Sequence, residues 1–294
     1  MYDIIGDLHG EADLLLKLLQ KSGYRQQEGG WQHPWRKAVF VGDLINKGPQ
    51  SREVLAIVRT MTERHTALAV PGNHELYLLG YFHQHAGGDF VRPHTESNQE
   101  QLSPTLQAFS GDIALLDDYL NWLQTLPLFL EMDGFRVVHA YWHQPSIDFL
   151  KSKYAEARLS HEILRAMTPG SATEKAIREL LVGIKLPLPG GEEYFKAKWW
   201  NLGKSSQYRD LAIRPEDDFG NPDIFTAEVD IKEYHYPQEA PPLFFGHYNL
   251  PGQPFLLANH YTCLDFNQPE RALAVAYHWD GESILDSRKF TFVS

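Results

Sequence analysis

The stretch Ala38–Pro49, AVFVGDLINKGP, decides how this chain is read. Four apolar residues, Ala38 to Val41, run straight into Gly42-Asp43, and the turn that follows is closed by Gly48-Pro49. A short apolar run bounded by turn residues reads as a buried strand. Asp43 then stands at the carboxyl end of a strand, where open α/β sheets place their ligands.

The pattern recurs along the chain. YDIIGDLHG ends a strand on Asp7 and His9, TALAVPGNHE on Asn73 and His74, GFRVVHA on His139, and PLFFGHYN on His247. A single such ending reads equally well as a turn-forming aspartate or a buried histidine. All of them together, each delivering a residue type that ligates divalent cations, point to a metal centre.

Around these stretches the spacing predicts β-α-β-α-β over the first third. Strands fall at Tyr2–Ile5, Ala38–Val41 and Ala67–Val70, with helices over Glu11–Lys21, Ser51–Thr62 and from Glu75. Such a start implies parallel strands with right-handed crossovers. Tyr24–Arg36 reads as a polar connection, and His83–Ser103, rich in Gly, His, Gln and Asn, as a lid or surface excursion. A helix is expected over Asp112–Gln124, and a hairpin over Leu128–His139 around Met132-Asp133-Gly134. Pro145–Ile184 reads as helical, with a capping box at Ser171-Ala-Thr-Glu174. Leu186–Tyr236 reads as irregular. After His247 the chain turns to β, with strands at Phe255–Ala258, Tyr261–Phe266, Ala272–Trp279 and Phe290–Val293 and a hairpin turn at Asp280-Gly281. Strands at both ends suggest two sheets packed face to face.

The chain has 294 residues, 43% of them hydrophobic, which is enough for one large core. A single domain over 1–294 is expected because ligands from both ends must meet, with 145–236 as an insertion covering the site. The formal net charge of −11 makes the protein a poor generic binder of nucleic acid. Cys263 is the only cysteine, so no disulfide forms within the chain. No signal peptide is apparent, and no apolar run approaches the ~20 residues that span a bilayer. The expectation is a cytoplasmic protein with no membrane partner.

Taken together, GDLHG, GDLINKGP, GNHE, VHA and GHYN resemble the signature of the calcineurin-like metallophosphoesterases. GNHE is similar to the phosphoprotein phosphatase branch. GDLINKGPQS is similar to the GDL-x-x-R-GP-x-S of bacterial bis(5′-nucleosyl)-tetraphosphatases. The motifs span Asp7 to Asn249, and the stretch between His139 and His247 matches neither branch. The resemblance implies an α/β fold, a four-layer α-β-β-α sandwich of two mixed sheets. It also implies two divalent cations, Mn²⁺ first, with Fe, Zn or Mg as alternatives. By the resemblance, Asp7 and His9 hold one cation, Asp43 bridges, and Asn73, His139 and His247 hold the other. His74 is the implied general acid, and Lys47 is placed to hold a phosphate. Two cations ~3.5–4 Å apart share a water, lower its pKa and neutralise phosphoryl oxygens during in-line displacement.

Two departures from the pattern bear on this. Asn46-Lys47 stands where the phosphoprotein phosphatases have Asp-Arg. An asparagine cannot support an imidazolium by charge, and a lysine is a point charge where arginine offers a fork. Asn249 stands where many members have a second His. It either ligates through its amide oxygen or leaves that position to water. His143 is a further candidate for the pocket, and Lys198, Arg209 and Arg214 are candidates for a second phosphate contact. The expected reaction is hydrolysis of a phosphomonoester, such as a phosphorylated Ser/Thr side chain. The alternatives are hydrolysis of dinucleoside polyphosphates and, in another class, a metal- and phosphate-binding module without turnover.

Overall fold

A computed structural model describes residues 1–187, 194–202, 204–205, 207–213, 235–267 and 271–294. The chain opens with β1 (Tyr2–Ile5), α1 (Ala12–Lys21), β2 (Arg25–Gln27), β3 (Gly30–Gln32), β4 (Lys37–Phe40), α2 (Ser51–Glu63), β5 (Ala67–Ala69) and α3 (Asn73–Phe82). Then come α4 (Glu96–Ala108), α5 (Ile113–Leu123), β6 (Phe129–Met132), β7 (Phe135–Val138), α6 (Gln144–Lys153), α7 (His161–Ala166) and α8 (Ala172–Val182). The last part carries β8 (Lys185–Pro187), β9 (Tyr194–Lys196), α9 (Tyr208–Leu211), β10 (Leu243–Phe245), β11 (Tyr261–Cys263), β12 (Ala274–Trp279) and β13 (Phe290–Val293).

Two mixed sheets form the centre. One has five strands in the order β13-β12-β1-β4-β5, and the other four in the order β11-β10-β7-β6. β1, β4 and β5 are parallel, as the β-α-β-α-β start requires, while β12 runs antiparallel to β1. In the second sheet β10 runs parallel to both β7 and β11, and β6 pairs antiparallel with β7. Aromatic rings lock the two sheets together. Phe135 meets Tyr2 at 5.1 Å and Trp279 at 4.6 Å, and Phe244 meets Tyr277 at 5.1 Å. On the outside, α1 buries Leu14, Leu15, Leu18 and Leu19, and α2 buries Val54, Leu55, Val58 and Met61, which is the stripe that helical spacing produces. The helices α6 to α8 are tied to the end of β7 by a hydrogen bond from the Ala140 amide to the Leu180 carbonyl, 2.9 Å. These are the layers expected of the sandwich.

Several local expectations are corrected. The connection at 24–36 contains the antiparallel hairpin β2–β3. The segment expected as a lid holds the start of α4, because Thr95 caps it by accepting from the Asn98 amide and Leu102 and Thr105 are buried. Pro104 lies inside that helix, which hid the helix from the sequence reading. Phe255–Ala258 is not a strand and carries only one isolated bridge, Ala258 to Tyr261. Asp280-Gly281 does not join β12 to β13 by a tight turn; a longer connection with a 3₁₀ turn at Ser287–Lys289 intervenes. Finally, β11 stops at Cys263, three residues short of the expectation, and the chain turns off with Asp265 and Asn267 buried.

Candidate metal centre

The carboxyl ends of β1, β4, β5, β7 and β10 meet at one place, and their loops deliver Asp7 and His9, Asp43, Asn73 and His74, His139, and His247. All of these side chains are buried. Among the described residues, three groups have their ligand atoms within 4.8 Å of one another: His9, Asp43 and His74; Asp43, His139 and His247; and Asp7, His9 and Asp265. Asp43 belongs to two of them and His9 joins the third to the first, so the groups form one continuous centre.

The backbone is bent to make this possible. Of the seven described non-glycine residues with positive φ, six are His9, Asp43, Asn46, Lys47, His247 and Asn249. Such conformations are uncommon and collect where surrounding structure over-determines them, typically at functional sites. Glycine is required beside them. A Cβ on Gly246 would collide with the Asp7 carboxylate, and one on Gly72 with that of Asp43.

Backbone partners aim the ring nitrogens. Nδ1 of His139 donates to the Val41 carbonyl at 2.8 Å, which turns Nε2 toward Asp43 Oδ1 at 3.4 Å and Asn73 Oδ1 at 3.2 Å. Nδ1 of His9 faces the Ile45 carbonyl at 3.4 Å, and its Nε2 lies 3.8 Å from both Asp7 Oδ2 and Asp43 Oδ2. Asn73 Oδ1 also meets His247 Nδ1 at 2.6 Å, and the His247 amide donates to Asp7 Oδ2 at 3.0 Å. Two buried atoms of this set, Asp7 Oδ1 and His247 Nε2, have no hydrogen-bond partner among the described residues. A buried polar atom without a partner is destabilising by about 1–3 kcal/mol. Two within one nest of oxygen and imidazole donors fit a divalent cation centre.

The electrostatics agree. Burial, with Asp265 and Asp43 adding, raises the Asp7 carboxyl well above its ordinary value. Burial pushes Asp43 the same way, but the rings of His139 and His74 outweigh it and hold that carboxyl well below. Burial lowers His9 and His247 well below the usual imidazole value, so both are neutral and free to ligate.

His74 begins α3 beside Asn73. Its amide donates to Asp43 Oδ1 at 2.9 Å, and its Nε2 lies 3.8 Å from Asp43 Oδ2. Asn46 Nδ2 donates to His74 Nδ1 at 2.9 Å, while Asn46 Oδ1 accepts from the Thr105 hydroxyl at 2.6 Å. Asn46 is therefore the neighbour of His74 that the sequence implied. Lys47 Nζ lies 2.8 Å from His9 Nε2, inside the centre. Asn249 donates its backbone amide to Asp265 Oδ2 and its side-chain amide to the Asn267 carbonyl, both at 2.7 Å. His143 turns to Glu179, 2.7 Å away, and to Ser146. Lys198 is half-buried just ahead of the 3₁₀ turn Trp199–Asn201, Arg209 is exposed on α9, and Arg214 lies outside the described residues.

Sequence reasoning missed four residues here. Glu75 accepts from the amides of Gly72 at 2.6 Å, Asp43 at 2.9 Å and Leu44 at 2.9 Å, and so welds two of the loops together. Asp265 closes the third ligand group. Asn267 Nδ2 donates to the Asp7 carbonyl at 3.0 Å. Lys196, at the end of β9, donates to the His247 carbonyl at 2.7 Å. Glu75 lies within the GNHE motif, so that motif was the available signal; the other three carry none.

Comparisons with known proteins bear on this geometry. The calcineurin-like phosphoesterase profile matches residues 2–168. Over 144 residues the chain is 34% identical to the asymmetrical bis(5′-nucleosyl)-tetraphosphatase PrpE of a Geobacillus species, a match covering 47% of this chain and 56% of that one. Over 136 residues it is 32% identical to the symmetrical bis(5′-nucleosyl)-tetraphosphatase of Aromatoleum aromaticum, covering 46% and 42%. The chain thus spans about half the length of these curated relatives. A protein serine/threonine phosphatase from Saccharomyces cerevisiae overlays on 99% of this chain and 78% of its own with a TM-score of 0.52 at 12% identity, a likeness of fold alone. The matched profile takes in more than half of the residues and every ligand loop from β1 to β7, and the chain belongs to the calcineurin-like phosphoesterase family.

Proposed function

We propose that this protein is a metal-dependent hydrolase of dinucleoside polyphosphates. The observation that carries the metal dependence is the pair of unpartnered buried atoms, Asp7 Oδ1 and His247 Nε2, near the shared Asp43 carboxylate, and the substrate class is supported by the names of the relatives. In this reading Asp7, His9 and Asp43 hold one divalent cation, and Asp43, Asn73, His139 and His247 hold another, with Mn²⁺ the first choice. Such a pair of cations supplies Lewis-acid charge at the phosphoryl oxygens and an activated water. The substrate order expected from the sequence, phosphomonoester first, is reversed. The relatives at 32–34% identity carry tetraphosphatase names, whereas the phosphoprotein phosphatase likeness is one of fold.

The chain's own residues do the rest. Asn46 donates to His74 Nδ1, which leaves the ring proton on Nε2, the nitrogen that faces the centre. Nε2–H of His74 then faces the leaving oxygen, and the ring hands over that proton from its imidazolium form, in which the Asn46 amide turns to accept from Nδ1 through its oxygen. Lys47, released from His9 Nε2 when that nitrogen serves a cation, faces a phosphoryl oxygen. Of the expected insertion 145–236, residues 188–193, 203, 206 and 214–234 lie outside the described residues, and the described remainder is read as covering the site. In support, Lys196 reaches His247, and the Trp199 indole donates to the Ala140 carbonyl at 3.2 Å.

The test is a panel of a dinucleoside tetraphosphate, p-nitrophenyl phosphate and a phosphopeptide, each with Mn²⁺ and a His74→Asn control. The tetraphosphate is expected to turn over fastest, with His74→Asn slow on it. Cleavage of the monoesters alone would return the substrate to the phosphomonoester class. Metal binding with no turnover above the control would make the protein a binding module.

A further inference from the structure

Asp265 belongs to none of the sequence motifs, yet it stands inside the centre. It is 1% exposed, and the ligand atoms of Asp265, Asp7 and His9 lie within 4.8 Å of one another. The approach depends on Gly6. A Cβ there would collide with the Leu264 carbonyl, so the chain beyond β11 can rest against the end of β1 only because Gly6 has none. From the other side β10 and its loop fix the position. The Leu264 amide donates to the Phe245 carbonyl at 2.7 Å, and the Leu250 amide donates to the Asp265 carbonyl at 2.8 Å.

The carboxylate is held by main-chain donors that leave it acceptor capacity. Oδ2 accepts from the Asn249 amide at 2.7 Å, and Oδ1 accepts from the Asn267 amide at 3.1 Å. An ionised carboxylate has about four acceptor positions, and these two bonds occupy one on each oxygen. Asn249 also gives Nδ2 to the Asn267 carbonyl, and Asn267 gives its own Nδ2 to the Asp7 carbonyl, so both asparagines brace the carboxylate against Asp7. Facing it, Asp7 Oδ1 is buried with no hydrogen-bond partner among the described residues. Burial first, and then the charge of Asp265, raises the Asp7 carboxyl well above its ordinary value. Two buried carboxylates this close repel unless a cation lies between them. Lys47 brings a positive charge to the third member of the group, with Nζ 2.8 Å from His9 Nε2.

We propose that Asp265 is a further ligand of the first cation, which is then held by three carboxylates, Asp7, Asp43 and Asp265, and by the His9 ring. This rests on the two-cation reading of the centre. The second cation is left with one carboxylate, Asp43, the Asn73 amide oxygen and the rings of His139 and His247. The two sites are therefore chemically unlike. Carboxylate oxygen suits Mn²⁺ and Mg²⁺, whereas imidazole suits Zn²⁺ and Fe. Offered both kinds of ion, the protein takes Mn²⁺ at the first site and Zn²⁺ at the second.

Metal-free protein titrated with Mn²⁺ and with Zn²⁺ in a calorimeter tests this, wild type against Asp265→Asn, which keeps the shape of the side chain and removes its charge. The variant should bind Mn²⁺ at the first site about a hundredfold more weakly, the upper figure for residues that merely support ligands, and Zn²⁺ at the second site as before. Asp265 also braces the His247 loop through Asn249, so a purely structural role would weaken both sites alike; equal losses, or none, would overturn the proposal. Crystals of the wild type grown with both ions and measured at both absorption edges give an answer that does not depend on the variant folding. A Mn²⁺ peak in contact with Asp265 and a Zn²⁺ peak between His139 and His247 are expected. The same ion in both places would overturn the selectivity. Two peaks with neither in reach of Asp265 would remove it as a ligand and leave the two-cation reading intact, and the absence of any peak would overturn both.

Discussion

Asp7 and Asp43 arrive at the centre from the five-stranded sheet, whereas His139 and His247 arrive from the four-stranded sheet. The first sheet therefore brings the shared carboxylate of Asp43, and the second brings two ligand rings together with the carboxylate of Asp265, which follows β11. The loops differ to match. On the first side the turn around Asp43 is strained at Asp43, Asn46 and Lys47 and is held by three backbone donors converging on Glu75. On the second side His139 needs no unusual backbone and is steered by one hydrogen bond to Val41, a residue of the opposite sheet's loop. The difference teaches that the shared carboxylate comes from one sheet alone, and that the two sides should fail in different ways.

The sharpest test of that contrast is Asp43→Asn against His247→Ala. Loss of Asp43 removes a carboxylate common to two ligand groups and should abolish binding of both cations and all turnover, by at least about a hundredfold, the upper figure for residues that merely support ligands. Loss of His247 should leave about one equivalent of metal bound. Equal metal content in the two variants, by elemental analysis, would erase the distinction. Next in size is His74→Asn. It should lower kcat by about 10²–10⁴-fold, the range for a general acid, with metal content unchanged. If the metal is lost as well, His74 is a ligand, as its grouping with His9 and Asp43 would allow.

Asn46→Asp probes the first side more finely. Burial lowers His74 to about 4, with Lys47 and His139 adding to the effect and Asp43 opposing it. A carboxylate at position 46 favours the charged ring and should raise that value, moving the basic limb of kcat upward. An unchanged NMR titration of the His74 ring would show that the contact with Asn46 does not tune it. The smallest effect is expected away from both sheets, at Glu179. Burial alone would raise this carboxyl, but the His143 ring and the Ser146 hydroxyl hold it below 4.5. A carboxyl depressed on folding contributes stability above its unfolded pKa and loses it as pH falls through the folded value. Glu179→Gln should thus be less stable than wild type by about 1–2 kcal/mol at neutral pH, with the gap closing as pH falls below 4.5 through the folded value. A gap that persists there would mean the loss is one of packing.

The metal loops were legible because each is a short apolar strand followed at once by a polar residue, and burial of the strand dictates where the loop must sit. That reasoning gave the parallel start, the two sheets and the residues that meet around Asp43. It had no purchase on residues whose role comes from tertiary approach alone. Lys196 ends a three-residue strand and looks like any solvated lysine in YFK. Asp265 follows β11 but is pulled under the site only because the strand stops early. Thr105 is buried on a helix whose polar composition and internal proline argue against a helix at all.

The left-handed backbone at the centre has a consequence for which residues the loops can accept. Outside glycine, asparagine, aspartate and histidine are the types that enter this region most readily. They are also the types whose oxygen or ring nitrogen binds hard cations. Five of the six bent positions, His9, Asp43, Asn46, His247 and Asn249, carry one of the three. Main-chain geometry and coordination chemistry thus draw on the same short alphabet, and a β-branched replacement at any of these positions is excluded twice over. Lys47 is the exception, held left-handed by its loop and free of that double constraint, so it is the position where side-chain chemistry can change with the least resistance from the backbone alphabet.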